Sequence, residues 1–190
     1  MAVTRRSFLE KSALAGSFYI VPRHVLGKGF RAPSDQLNIA GVGINGKGMS
    51  DVTNAFNEGV NNITALCDVD LTRAKPLFEK FAKVGRYQDW RVMLEKEKGI
   101  DAVTISTPDH NHAAIAMAAM QLGKHVYVQK PMAHNIFEVR TMTEAARRYK
   151  VVSQMGNQGA SSPGTQQVVK WFDEGLIGKV HTVNIWTNRP

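Results

Sequence analysis

Short apolar runs alternate along the chain with longer stretches whose apolar positions recur at helical spacing. Leu37–Val42, Ile63–Cys67, Ile100–Ser106, His125–Val128 and Val151–Met155 read as buried strands. Between them, Lys47–Phe56 predicts a helix stopped by Glu58-Gly59, and Asp70 predicts the cap of a helix running towards Phe81. Pro76 lies inside that second segment, which predicts a kink or a late start. Tyr87–Leu94 predicts a short helix capped by Asp89. An Ala- and Met-rich helix is expected from Thr107-Pro108 to Leu122, ending at Gly123. Asn135 with Glu138 forms a capping box for a helix to Tyr149, and a further helix covers about Thr165 to Glu174. Lys179–Asn188 reads as a long strand.

Strands and helices alternating at this length imply an α/β domain, a doubly wound parallel sheet of Rossmann type with right-handed crossovers. Ligands then bind beyond the carboxyl ends of the strands. The polar clusters at 41–46, 68–70, 106–112, 129–134 and 155–158 all fall at such ends. No internal repeat and no low-complexity tract interrupts the pattern.

The first cluster is Gly41-Val42-Gly43-Ile44-Asn45-Gly46, a Gly-x-Gly-x-x-Gly turn between a strand and a helix. In that turn Gly41 is expected to permit the tight reversal, Gly43 the close approach of a pyrophosphate, and Gly46 the packing of helix on strand. The helix start attracts a diphosphate, with Lys47 beside it. Asp68 follows Gly46 by 22 residues and ends the second strand, where an adenosine ribose needs an acceptor. The predicted cofactor is NAD. A 2′-phosphate about 4 Å from Asp68 would cost on the order of 4 kcal/mol, while Arg73 offers NADP a partial offset and leaves it as the alternative.

Charge changes the picture only at the start of the chain. Of the net +8, residues 1–33 carry +5, which leaves an ordinary +3 for the rest. No later segment joins a basic run to interleaved aromatics, so nucleic-acid binding is not expected. Thr4-Arg5-Arg6-Ser7-Phe8-Leu9, the weakly apolar run to Val21 and Pro22 resemble a twin-arginine (Tat) export signal, with no clean cleavage site. The run is too short for a stable membrane span. A periplasmic or otherwise exported location is expected, rather than a cytoplasmic one. Export in a folded state suits a protein that must acquire its nucleotide first. Cys67, the only cysteine, excludes an internal disulfide and reads as a small buried hydrophobe.

With these motifs in order, the chain resembles the Gfo/Idh/MocA oxidoreductases over about residues 35–190. The resemblance implies an NAD(P)-dependent enzyme that moves a hydride to or from a sugar or cyclitol carbon. It also implies a Rossmann domain over 34–175, after a leader at 1–33, and the start of a truncated α+β substrate domain at 176–190. The protein is expected to form a homo-oligomer through that second domain's sheet. Residue by residue, Gly41, Gly43, Ile44, Asn45 and Gly46 match the diphosphate turn, and Asp68 the ribose acceptor. Thr107-Pro108 and His112 resemble the segment lining the nicotinamide, and Met155-Gly156-Asn157-Gln158 a further cofactor-side segment. Gln129-Lys130-Pro131 stands where the family has Glu-Lys-Pro, so Gln129 keeps size and hydrogen bonding but not charge.

Lys130 is the catalytic candidate. Hydride removal from a carbinol carbon requires its hydroxyl proton to leave, and a lysine there either accepts that proton or stays charged and polarises the oxygen. Asp109-His110-Asn111-His112 is not expected to hold a metal, because residues two apart at a helix start diverge and no third ligand motif follows. Two alternatives accompany the dehydrogenase reading: a glycosidase that recycles NAD internally, and a non-catalytic NAD-binding fragment. The isolated 190-residue chain is expected to be inactive, since the family's further catalytic positions lie beyond Pro190.

Overall fold

The computed structural model describes Ala32 and residues 35–187. The leader at 1–33 and the last residues lie, Ala32 apart, outside the described residues. Six parallel strands form one sheet: β1 (Asn38–Val42), β2 (Asn62–Cys67), β3 (Gly85–Tyr87), β4 (Ala102–Ile105), β5 (His125–Gln129) and β6 (Ser153–Gly156). Their order, β3-β2-β1-β4-β5-β6, is the doubly wound arrangement expected. The direction of winding reverses between β1 and β4, which pair from Ile39–Ala102 to Val42–Ile105.

Helices α1 (Lys47–Phe56), α2 (Leu71–Lys80), α3 (Trp90–Lys96), α4 (His112–Gln121), α5 (Ile136–Tyr149) and α6 (Pro163–Asp173) join the strands or follow them. Alternate strand residues point to opposite faces, so the sheet builds two cores. Leu66, Ile39 and Ile63 meet Val52 of α1 and Ala74, Leu77 and Phe78 of α2 in one core. Ala65, Cys67, Val103 and Val128 meet Met93, Ile115, Met120 and Met142 of α3, α4 and α5 in the other. Burial on both faces explains why these strands are runs of apolar residues rather than alternations.

Three local expectations change. β3 occupies Gly85–Tyr87, so Tyr87 belongs to a strand and the following helix starts only at Trp90. α2 does not start late: it begins at Leu71, where the Asp70 side chain accepts from the backbone N–H groups of Thr72 and Arg73. The cap and the burial of Ala74, Leu77 and Phe78 outweigh the roughly 3 kcal/mol that an interior proline costs. Finally, 179–187 form no strand and are exposed, because a strand exists only where its backbone groups find a ladder partner. α6 likewise buries no residue, and Trp171 and Phe172 on it are exposed.

The capping box at α5 is also rearranged. Asn135 accepts from the Glu138 N–H at 2.9 Å, but the Glu138 carboxylate accepts from the N–H of His134, one residue earlier than a standard box, also at 2.9 Å. Asn135→Ala is expected to lower stability by about 1 kcal/mol. In urea titrations this is a lower midpoint at unchanged m-value.

Candidate functional site

Three chain reversals, after β1, β2 and β4, meet at the carboxyl edge of the sheet, and they meet backbone on backbone. Gly43 has φ +73°, and a Cβ built there would lie 2.7 Å from the Thr107 nitrogen and 2.8 Å from the Ser106 carbonyl. Gly48, in the first turn of α1, lies against the Gly43 carbonyl so closely that any side chain would collide with that backbone. The tasks expected of the glycines are therefore redistributed. Gly41, inside β1, is the residue that lets helix and strand pack, since its Cβ would meet Val52 at 2.5 Å. Gly46 packs against nothing; it turns the chain into α1 with φ +54°.

The start of α1 differs from that of most other helices. Asp70, Asp89, Asn135 and Ser162 cap α2, α3, α5 and α6, whereas no side chain caps α1 at Gly46. Asn45 instead accepts through Oδ1 from the Gly46 N–H at 2.8 Å. An uncapped helix start beside a glycine turn suits an anionic group.

Asp68 ends β2 with both oxygens held by the backbone. Oδ2 accepts from the Ile44 N–H at 2.9 Å and Oδ1 from the Asp70 N–H at 3.0 Å. The first bond ties the glycine turn to the end of β2, and buried Ile44 anchors it from below. Arg73 is exposed and only 3.7 Å from Asp70 Oδ2, a loose pairing that leaves it able to swing.

A cleft of about 740 Å³ opens over these loops, lined by Gly43, Asn45, Asp68, Arg73, Thr107 and Pro108 among others. Trp90 and Arg91 line it as well, the Arg91 guanidinium lying 4.3 Å from the Trp90 ring centroid. Thr107 Oγ1 is buried without a hydrogen-bond partner, the one such side-chain atom among the described residues. An orphaned hydroxyl, a glycine cradle and an uncapped helix start in one cleft fit a phosphate-bearing dinucleotide. Cys67 also lines the cleft, and burial, followed by the nearby Asp68 and Asp89 carboxylates, pushes its thiol up to about 12.

Other expected residues lie elsewhere. His112 does not face the cleft: it is buried at the start of α4, with Nδ1 2.7 Å from the Pro131 carbonyl and Nε2 2.8 Å from the Thr107 carbonyl. Each ring nitrogen faces a backbone carbonyl and the ring is buried, so His112 sits between two loops rather than in the cleft. Lys130 is exposed at the tip of β5. Gln129 is buried, and its amide donates to Asp51 Oδ2 at 2.7 Å. Lys47 is drawn towards Asp51 as well, at 2.6 Å, rather than standing free for a phosphate. Asn157 lines a separate hollow of about 310 Å³ with Tyr127, Gln154 and Gln158.

Sequence reasoning missed Asp51, Gly48, Trp90 and Arg91. Asp51 had a detectable signal: it sits next to Val52 on the apolar side of α1, four residues after Lys47. Gly48 had one too, as a third glycine within a turn of Gly46. Trp90 and Arg91 had none, because their approach to the cleft depends on where β3 ends.

Residues 37–157 match the family GFO_IDH_MocA, described as an oxidoreductase family with an NAD-binding Rossmann fold. Levoglucosan dehydrogenase of Pseudarthrobacter phenanthrenivorans is 34% identical over 92 residues, 48% of this chain and 23% of that protein. Myo-inositol 2-dehydrogenase of Thermotoga maritima is 25% identical over 126 residues, 66% of this chain and 37% of that protein. Scyllo-inositol dehydrogenase from Lactobacillus casei, solved with NAD(H) and scyllo-inositol, shares the fold at TM-score 0.67 and 21% identity, over 75% of this chain and 42% of that one. The chain thus spans 23% to 37% of the length of these two curated relatives.

Burial raises the Cys67 thiol from its ordinary value of 9.0 to about 12 in the folded chain. A raised folded value stabilises the fold below the unfolded value and is lost as pH climbs through the folded one. Wild type is therefore expected to lose stability more steeply than Cys67→Val between pH 9 and 12 in urea titrations. Iodoacetamide at pH 8 is expected to spare Cys67 in the folded chain and to label it in urea.

Proposed function

Since the chain belongs to the Gfo/Idh/MocA oxidoreductases and carries their NAD-binding Rossmann domain, we propose that it is the nucleotide-binding part of an NAD-dependent dehydrogenase acting on a sugar or cyclitol hydroxyl or the matching ketone. The observation that carries the reading is the cleft over Gly43, Asp68 and Thr107, where a rigid ribose acceptor and a phosphate cradle face one another. NAD, when bound, supplies the hydride acceptor. The start of α1 and the turn 43–46 would hold the diphosphate, and Asp68 would accept from the ribose hydroxyls. Thr107 Oγ1 and Pro108 border the path from β1 towards β5. At the end of that path an uncharged Lys130 would take the hydroxyl proton that leaves as the hydride does, whereas a charged one would polarise the substrate oxygen.

Curated relatives named as levoglucosan and inositol dehydrogenases favour net hydride transfer over a glycosidase that recycles its NAD. The substrate side is completed by a second domain that begins at 176, through which the protein assembles with copies of itself. The twin-arginine pattern Arg5-Arg6 supports export to the periplasm after nucleotide capture. Among the described residues no helix is long and apolar enough to cross a membrane.

Asp68 favours NAD because a 2′-phosphate would sit against a carboxylate already fixed by two N–H groups. Calorimetry is expected to show NAD bound at least ~100-fold more tightly than NADP, with Asp68→Ala weakening NAD and closing most of that gap. The 190-residue chain is expected to bind NAD and to oxidise no sugar. Growth of absorbance at 340 nm with a free sugar would contradict the second expectation, and absence of NAD heat from nucleotide-stripped protein would contradict the proposal.

A further inference from the structure

Asp51 has only 4% of its side chain exposed, and it is the one carboxylate buried among the described residues. Its two oxygens are fully engaged. Oδ1 accepts from the Lys47 ammonium at 2.6 Å, and Oδ2 accepts from the Ser106 hydroxyl and the Gln129 amide, each at 2.7 Å. The donors come from α1, from the end of β4 and from the end of β5, so one side chain joins three elements at the edge where the cleft opens.

A carboxylate only accepts, which fixes the orientation of the Gln129 amide. The NH2 group must face Asp51, leaving Oε1 to accept from the Lys130 N–H at 3.3 Å. The surroundings leave the amide little room, since a Cβ on Gly156 would come within 3.0 Å of Gln129 Nε2. A glutamate at 129 would set two carboxylates in direct contact against the single Lys47 ammonium, which raises the affinity of one of them for a proton. Residue 51 therefore favours an amide over a carboxylate at residue 129.

We infer that Asp51 is a positioning residue for the nicotinamide end of the site: by holding Gln129 and Ser106 together it sets the β5 tip that carries Lys130. The inference rests on the dinucleotide reading above. A dinucleotide with its ribose on Asp68 crosses β1 and β4 to reach β5, three strand spacings or about 14 Å away. The charged or titratable groups beside Asp51 are Lys47 from its own helix and Tyr127 from β5, with which it shares a small cleft.

The test compares NAD with ADP-ribose, which lacks the nicotinamide, by calorimetry on the nucleotide-stripped 190-residue chain at pH 5.5 and pH 8. Wild type is expected to bind both ligands with little pH dependence. Gln129→Glu should weaken NAD by on the order of tenfold at pH 8 relative to pH 5.5, because the second carboxylate ionises as pH rises, while ADP-ribose changes by less than about twofold. Adding Asp51→Asn should return NAD to within about threefold of wild type at both pH values, the charge having only changed places. Equal losses for both ligands, no pH dependence in Gln129→Glu, or a double variant no better than the single one would each overturn the inference. If Gln129→Glu fails to fold by circular dichroism, the double variant decides: a folded, NAD-binding double variant supports the inference and an unfolded one overturns it. Loss of both ligands by folded wild type would remove the dinucleotide reading itself, and the inference with it.

Discussion

Backbone meeting backbone at the crest of the sheet is the constraint on which the rest depends. β1 lies between β2 and β4 in parallel register, so three chain reversals emerge side by side within about two strand spacings. There is no space for side chains between them. Gly43 and Gly48 meet that demand by having none, and the loops close on one another at van der Waals distance. The uncapped start of α1 leaves backbone N–H groups at this crest that an anion can meet. Asp68 extends the same logic, because its bond to the Ile44 N–H holds a carboxylate where solvent alone would leave it mobile.

Much of the fold was legible, and for a simple reason. Strands covered on both faces must be apolar throughout, and Ile63–Cys67 or Ala102–Ile105 announce themselves as runs. Helix starts were legible where a side chain does the capping, as at Asp70, Asp89 and Asn135. β3 was not, since Gly85-Arg86-Tyr87 sits at the sheet edge and needs no apolar run. The strand expected at 179–188 is absent over its described part, 179–187, for the opposite reason: the residues suit a strand, but no neighbour among the described residues pairs with them.

Within the site, the parts contiguous in sequence were legible and the parts assembled from distance were not. The glycine turn and Asp68 could be placed by spacing alone, although Gly41 and Gly46 exchange their expected tasks. The Asp51 partners Ser106 and Gln129 lie 55 and 78 residues away, so no local pattern reveals that the carboxylate is enclosed. The histidine at 112 shows the limit most clearly. Its motif suggested a cofactor contact, whereas the ring turns inward to reach two carbonyls that sequence order keeps apart.

That inward turn has a mechanical consequence. One planar ring lies between the Thr107 and Pro131 carbonyls, 2.8 Å from one and 2.7 Å from the other, and fills the gap between their loops. The Thr107 loop beside the cleft and the Pro131 loop that follows Lys130 are thereby spaced by the width of a single imidazole.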